Sequence, residues 1–277
     1  MPTMTIFDEM VAAYQPQNAQ QRSNAQHQVM QQIVLAGLHK GGFFEHAAFY
    51  GGTCLRIFYN LPRFSEDMDF SLTEANPAIH LENYFQAIHD VFAFTGKEVV
   101  ITKKDKLHFG RVESAFLKEE TSAYDIAFQT EKTIKVKIEL DTNPPLLFKT
   151  EQKLLMRPYS LMVRCFTLPD LFAGKMHALV YRNWKTRIKG RDWYDFEWYI
   201  RNNVPLDFVH LQERIRQFNG LEITKEEFMH LLRERLATAN INEVKKDVIN
   251  FVNNPSELDI WSNEYFCMLA DKLSFVA

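Results

Sequence analysis

The chain has 277 residues, 46% of them hydrophobic, and a formal net charge of −3. That is enough apolar material for a sizeable core in one large domain or two modest ones, and it gives no global basic field toward nucleic acid, leaving only a local patch. Cys54, Cys165 and Cys267 are few, odd in number and far apart, which makes neither a disulfide framework nor a zinc pattern. The start "MPTMTIFDEMVAAYQ" lacks the basic, apolar and small-residue order of a secretory signal, and no run approaches eighteen apolar residues. A soluble, cytoplasmic protein without a membrane segment is expected.

The first twenty residues are polar and Gln-rich and read as a loose arm. A helix is expected from Gln21 to His39, with Val29, Ile33 and Leu38 among its apolar positions. "HAAFY" reads as a short buried strand before Gly51. Thr53 is a candidate helix cap, and Leu55, Phe58 and Tyr59 share a face of the helix that follows. "DMDFSL" alternates as a strand, and Leu81 to about Phe94 reads as helix. The period then changes: "EVVITKK", "GRVESAFL", "SAYDIAFQ" and "TIKVKIELD" favour strands, with "LMVRCFTL" a further short one. From Pro169 onward the pattern is helical, over Pro169–Arg182, Asp192–Arg201, Leu206–Phe218, Lys225–Ala237, Asn242–Val252 and Glu257–Lys272. The expected division is an α/β part, residues 1–167, followed by an all-helical part, residues 168–277, with no Gly/Ser linker between them.

Chemistry concentrates in "FYGGTCLRIFYNLPRFSEDMDFSL". Residues two apart in a strand share a face, so Asp67 and Asp69 project together and repel unless a cation lies between them. Mg2+, or Mn2+ in its place, suits an all-oxygen site shared with substrate phosphates. A third carboxylate would let two metals sit about 3.5–4 Å apart. Glu139 in "KIEL" is the first candidate and Asp141, on the same strand face, the reserve. A solvated strand face is the plainer explanation of Asp-x-Asp alone. Gly51, Gly52 and Thr53 shift the balance, because glycine lets backbone approach phosphate and a helix start offers free N–H groups to an anion.

Downstream, Lys175 lies within the apolar stripe Leu171, Phe172, Met176 and Leu179. A lysine facing a core must snorkel, pair or reach a ligand. Reaching an anionic ligand is the favoured reading, and an ion pair with Asp192 or Asp195 the alternative. "RDWYDF" puts Asp192 and Asp195 on one face of a largely buried helix, where structural and catalytic roles are equally open. Arg182, Lys185, Arg187, Lys189 and Arg191, interleaved with Trp184 and Gly190, could meet triphosphate or RNA backbone, or simply be a solvated face. There is no His-x-x-x-His beside a Glu, no Gly-x-Ser-x-Gly elbow and no Walker loop.

"GGTCLRIFYNLPRFSEDMDFSL" resembles the first motif of the AbiEii/AbiGii toxin nucleotidyltransferases, members of the DNA polymerase β-like superfamily. "LPDLFAGKMHALVYRNWKTRIKGRDWYDFEWYI" is similar to the family's later lysine helix and Arg-Asp-x-x-Asp helix. The resemblance covers roughly residues 45–200, and Thr53 stands where many superfamily members carry Ser. It implies an α+β fold, a polymerase β-like mixed sheet with flanking helices followed by an all-helical C-terminal part. It also implies transfer of a nucleoside monophosphate from a triphosphate to an acceptor. Asp67, Asp69 and Glu139 would hold metal. Gly51, Gly52, Thr53, Arg63, Ser65, Lys175 and Arg191 would hold nucleotide, with Lys175, Asp192 and Asp195 completing the catalytic set. The implied partners are an RNA acceptor such as the tRNA 3′ end and a cognate antitoxin. A catalytically degenerate binding module is the competing class.

Overall fold

Polar residues at the start of the chain nevertheless build a helix. In the computed structural model, which describes residues 4–103, 121–128, 134–182 and 188–277, α1 spans Ile6–Ala12 and buries Phe7, Met10 and Val11. Thr5 and Asp8 form a reciprocal capping box that satisfies its first free N–H groups. The expected loose arm is therefore corrected over these residues. Helix α2, Ala19–Lys40, starts at the Asn18 cap and carries ten buried residues. It crosses α4, Phe85–Phe94, at Gly37, where a Cβ would stand 2.6 Å from the Ile88 Cα.

The sheet has seven strands: β1 Ala47–Tyr50, β2 Met68–Leu72, β3 Val100–Lys103, β4 Thr121–Phe128, β5 Ile134–Asp141, β6 Thr150–Leu155 and β7 Leu161–Phe166. Their spatial order is β3-β4-β5-β2-β1-β7-β6. The β2–β5 and β1–β7 pairs are parallel and the remaining pairs antiparallel. Strand β6 escapes the sequence pattern because it is a polar edge, exposed at alternate positions, with little apolar periodicity to betray it. The "GRVESAFL" expectation lies outside the described residues.

Helices follow β7: α5 Leu168–Tyr181, α6 Gly190–Arg201, α7 Phe208–Asn219, α8 Lys225–Thr238, α9 Ile241–Val248 and α10 Asn263–Ala270. Two of the expected helices are shorter than their patterns. After α9 the chain turns through a short 3-10 segment, and Glu257–Lys272 divides into the 3-10 turn Pro255–Leu258 and α10, which Ser262 caps. Buried apolar residues form one continuous cluster from Phe7 to Ala270. No described helix is long and apolar enough to cross a membrane.

Gly190 opens α6 where it meets α9. A Cβ there would fall 2.0 Å from the Val244 carbonyl oxygen, which is backbone and cannot swing aside. Gly190→Ala should therefore cost about 1–3 kcal/mol of stability, the usual range for overpacking. Thermal or urea unfolding measures it, and an unchanged midpoint would mean the two helices are not in this contact.

Candidate active site

Three strands set the floor. Tyr50 pairs with Asp69 across the antiparallel β1–β2 ladder, and Asp69 is in register with Glu139 across the parallel β2–β5 pair. Partners in register share a sheet face, so these side chains form a row. Helix α3, Gly51–Phe58, begins immediately after Tyr50. Gly51 has φ +81°, and a Cβ on it would lie 2.4 Å from Asp69 Oδ2. Glycine is thus required twice, for the left-handed backbone and for the approach of the carboxylate. The unpaired N–H groups of this first turn make the start of α3 suited to an anion. Gly51, Gly52, Asp69, Glu139, Asp141 and Lys175 all line one cleft of about 290 Å³.

The carboxylates in and beside the cleft are crowded. Burial, then the charges of Glu139 and Asp67, push the Asp69 carboxyl up to about 7. Lys137 lies 2.6 Å from Glu139 and partly offsets that charge. Asp141 is in register with Ser71 and accepts from the Asn143 backbone N–H at 3.1 Å, within the turn after β5. Asp67 precedes β2 by one residue and does not line the cleft wall, although its charge acts on Asp69. Among the described residues no three His, Cys, Asp or Glu side chains already converge as a metal site. The donor set is nonetheless all oxygen and mutually repulsive, the character a hard divalent cation needs.

Thr53 is the third residue of α3, and Tyr50 stands at the N-cap, so the capping role expected of Thr53 is corrected. Its buried hydroxyl donates to the Asp67 carbonyl and lies 3.0 Å from Ser65 Oγ. Gln31 of α2 donates to the Ser65 and Glu66 carbonyls at 3.0 and 2.9 Å. Thr53 and Ser65 therefore help fix the segment that delivers Asp67 and Asp69. Arg63 is also turned inward, with its guanidinium gripping Asp195 through Nε and a terminal nitrogen at 2.5 and 2.7 Å. None of these three side chains lines the cleft, and the contacts they make here are internal. Gly52 shows how tight the packing is: its Cβ would meet Arg63 at 2.8 Å and Ser65 Oγ at 2.9 Å.

Lys175 lines the cleft and is paired as well. Its ammonium lies 2.8 Å from both Asp192 and Asp195, and Arg182 reaches the second oxygen of Asp192 at 2.9 Å. Burial would raise the Asp192 carboxyl, but Lys175 and Arg182 overcome it and bring it down to about 2. Asp195 is lowered in the same way, burial being outweighed by Arg63 and Lys175. Arg191 sits apart, 3.8 Å from Glu66 and over the Phe251 ring. Lys189 is crowded by burial and by Arg182, while Lys185 and Arg187 lie outside the described residues.

Several cleft residues have no sequence signal. His177 donates to or accepts from Asn219 at 2.9 Å, and His210 Nδ1 donates to the Leu146 carbonyl at 3.0 Å. Burial, helped by Arg214, drives both imidazoles down to about 3, so both are neutral at pH 7. Burial also raises the Asp170 carboxyl to about 6. The partners of the two histidines lie 42 and 64 residues away, and no short spacing announces them.

The cleft thus brings a glycine helix start beside paired strand carboxylates, with the Lys175 helix lining the same space. MenT4, a nucleotidyltransferase toxin (Rv2826c) from Mycobacterium tuberculosis H37Rv, has the same fold: TM-score 0.61, 15% identity, 95% of this chain and 89% of that one covered. JHP933 from Helicobacter pylori matches with TM-score 0.54, 15% identity and coverage of 91% and 89%. No curated protein matches the chain. The family model described as nucleotidyl transferase AbiEii toxin, type IV toxin–antitoxin system, matches residues 33–272, and the chain belongs to that family.

The ion pairs reverse one expectation. Removing the Lys175 charge would spare the unliganded protein a buried cation if that cation were alone, but here it strands two carboxylates. Lys175→Met should destabilise the fold by about 3 kcal/mol, as breaking a buried pair does, with Arg63 and Arg182 holding back a larger loss. An unchanged unfolding midpoint without nucleotide would contradict the pairing.

Asp192 gives a pH signature. Its folded pKa of about 2 lies below the 3.8 of a free aspartate, so its contribution is present above pH 4 and is lost as pH falls through 4 toward 2. The difference corresponds to about 2 kcal/mol. Asp192→Asn should flatten that part of the stability–pH curve, and an identical acid limb would count against it.

Proposed function

We propose that this nucleotidyltransferase moves a nucleoside monophosphate from a triphosphate onto RNA, the 3′ end of tRNA being the favoured acceptor, as the toxin of a toxin–antitoxin or phage-defence pair in the cytoplasm. The observation that carries the transfer reading is the meeting, in one cleft, of the α3 start, the Asp69–Glu139 row and Lys175. Membership of the AbiEii family supports an antitoxin partner. The basic residues Arg182, Lys189 and Arg191 beside α6 support an RNA backbone over a small-molecule acceptor.

Asp67, Asp69 and Glu139 would hold Mg2+ or Mn2+. Bound there, a divalent ion supplies charge neutralisation on the reacting phosphate and on the leaving pyrophosphate. The chain's own groups do the rest. Backbone N–H groups at Gly51 and Gly52 receive the polyphosphate. Glu139 orients the acceptor hydroxyl and accepts its proton as the oxygen attacks the α-phosphorus; the bond from the α-phosphorus to the α–β bridging oxygen breaks, and that oxygen leaves with pyrophosphate. Lys175 and Arg182 present positive charge from α5 and the segment that follows it. Asp192 and Asp195, both buried and paired, act as positioning residues for those cations. Residues 1–167 thus contribute metal and phosphate ligands, and residues 168–277 the cationic wall.

Incubation with each α-labelled triphosphate and total RNA, with and without Mg2+, tests this directly. Labelled RNA only when metal is present is the expected result; triphosphate binding indifferent to metal and without transfer would favour a degenerate binding module. Asp67→Asn and Asp69→Asn should each cut transfer by roughly a thousand-fold, the several kcal/mol of an electrostatic metal contribution. Metal-free stability should hold or rise. Glu139→Gln should cost more activity than Asp141→Asn, because Glu139 is the immediate strand neighbour of Asp69 and Asp141 serves a turn. The reverse ranking would assign the third carboxylate to Asp141.

A further inference from the structure

The cations that face or flank the cleft are not alike. Lys175 and Arg182 are bound to Asp192, and Arg63 to Asp195. Arg214, on α7, also lines the cleft, yet among the described residues it makes no ion pair or hydrogen bond, and its buried Nε has no acceptor. Its guanidinium lies beside Gly174, where a Cβ would approach its Cζ and Nε to 3.9 Å, and over the Phe218 ring at 5.3 Å. The absence of a side chain at Gly174 leaves α5 open to Arg214 at the turn that carries Lys175. Burial lowers its pKa, and the charge of Asp141 attracts it only through space. A desolvated cation without an anionic partner is costly, and a ligand anion removes that cost.

The position of Arg214 selects the anion. Tyr50 immediately precedes the α3 start, and Asp141 lies two residues beyond Glu139 on β5, so Arg214 stands over the floor where Gly51 and Gly52 offer their N–H groups. A guanidinium is a planar fork matched to two phosphate oxygens. We propose that Arg214 is a phosphate-binding residue of this cleft, taking non-bridging oxygens of the nucleotide's polyphosphate from the side opposite the α3 start. This rests on the nucleotidyl-transfer reading and adds to it a ligand from α7 that lies outside both sequence motifs.

The test uses the full chain as wild type, Arg214→Met, Arg214→Lys and Lys175→Met. Affinities for inorganic tripolyphosphate and for ATP, CTP, GTP and UTP are measured by calorimetry in Mg2+, with melting temperatures taken without ligand. Arg214→Met should weaken all five ligands ten-fold or more, and Arg214→Lys less. The unliganded melting temperature of Arg214→Met should hold or rise, while that of Lys175→Met falls. Weakening confined to one nucleotide, with tripolyphosphate unaffected, would assign Arg214 to the base and overturn the proposal. So would a melting loss like that of Lys175→Met, or weakened RNA binding with tripolyphosphate unchanged. Five unchanged affinities in a wild type that binds overturn this assignment alone, whereas a wild type that binds none of the five overturns the transfer reading with it.

Discussion

The structure turns on a buried chain of charges. Arg63, Asp195, Lys175, Asp192 and Arg182 alternate in sign and are joined at 2.5–2.9 Å. Arg63 comes from the segment leading into β2, Lys175 from α5, and the two aspartates from α6. Three separate pieces of the chain are therefore fixed relative to one another by groups that cannot be left unpaired. Removing charges from water costs several kcal/mol per ion, and only good geometry and additional partners return it. The bidentate clasp of Arg63 on Asp195 has that geometry. Such a network specifies one arrangement of helices over the sheet more than it adds to total stability.

That arrangement is what gives the cleft its contents. The Arg63–Asp67 segment is tied down by Arg63 at one end and by the Thr53 hydroxyl at the other, with Gln31 holding the carbonyls between. Asp69 then enters β2 in register with both Tyr50 and Glu139. The carboxylate presses against Gly51, and the helix start and the acidic row are brought within contact of each other. Burial, with the charges of Glu139 and Asp67, raises the Asp69 carboxyl, and a cation bound there would relieve it. The positive wall supplied by α5 and α7 faces it across the cleft. Opposite fields on two walls of a narrow, partly dehydrated space are what a metal–triphosphate complex requires.

Much of this was legible from local pattern. Strands β1, β2 and β5 announce themselves by alternation, and Gly51 by its place between a strand and a helix. Glu139 and Asp141 share a strand face in the sequence pattern, and the register that sets Glu139 beside Asp69 is a matter of strand pairing. The buried character of α6 follows from Trp193, Tyr194, Phe196 and Tyr199 packed among its acids. What escaped was decided at long range. Arg63 and Asp195 are 132 residues apart, and nothing near either of them states that they meet. Thr53 and Ser65 have the composition of phosphate ligands and are spent on backbone and on each other. Arg214 sits in an ordinary polar helix pattern, and its isolation is visible only when α7 is laid against α5. Helix α1 is hidden in a Gln-rich setting, although its Thr-x-x-Asp cap was readable. Edge strand β6 has no apolar face to read.

Arg63 and Asp195 act as one unit. A double-mutant cycle with Arg63→Met and Asp195→Leu, followed by urea unfolding, measures it most directly. Each single change should cost about 3–5 kcal/mol by stranding a buried charge, and the double variant should cost less than their sum by at least about 2 kcal/mol. Single effects that add to within about 0.5 kcal/mol would contradict the account.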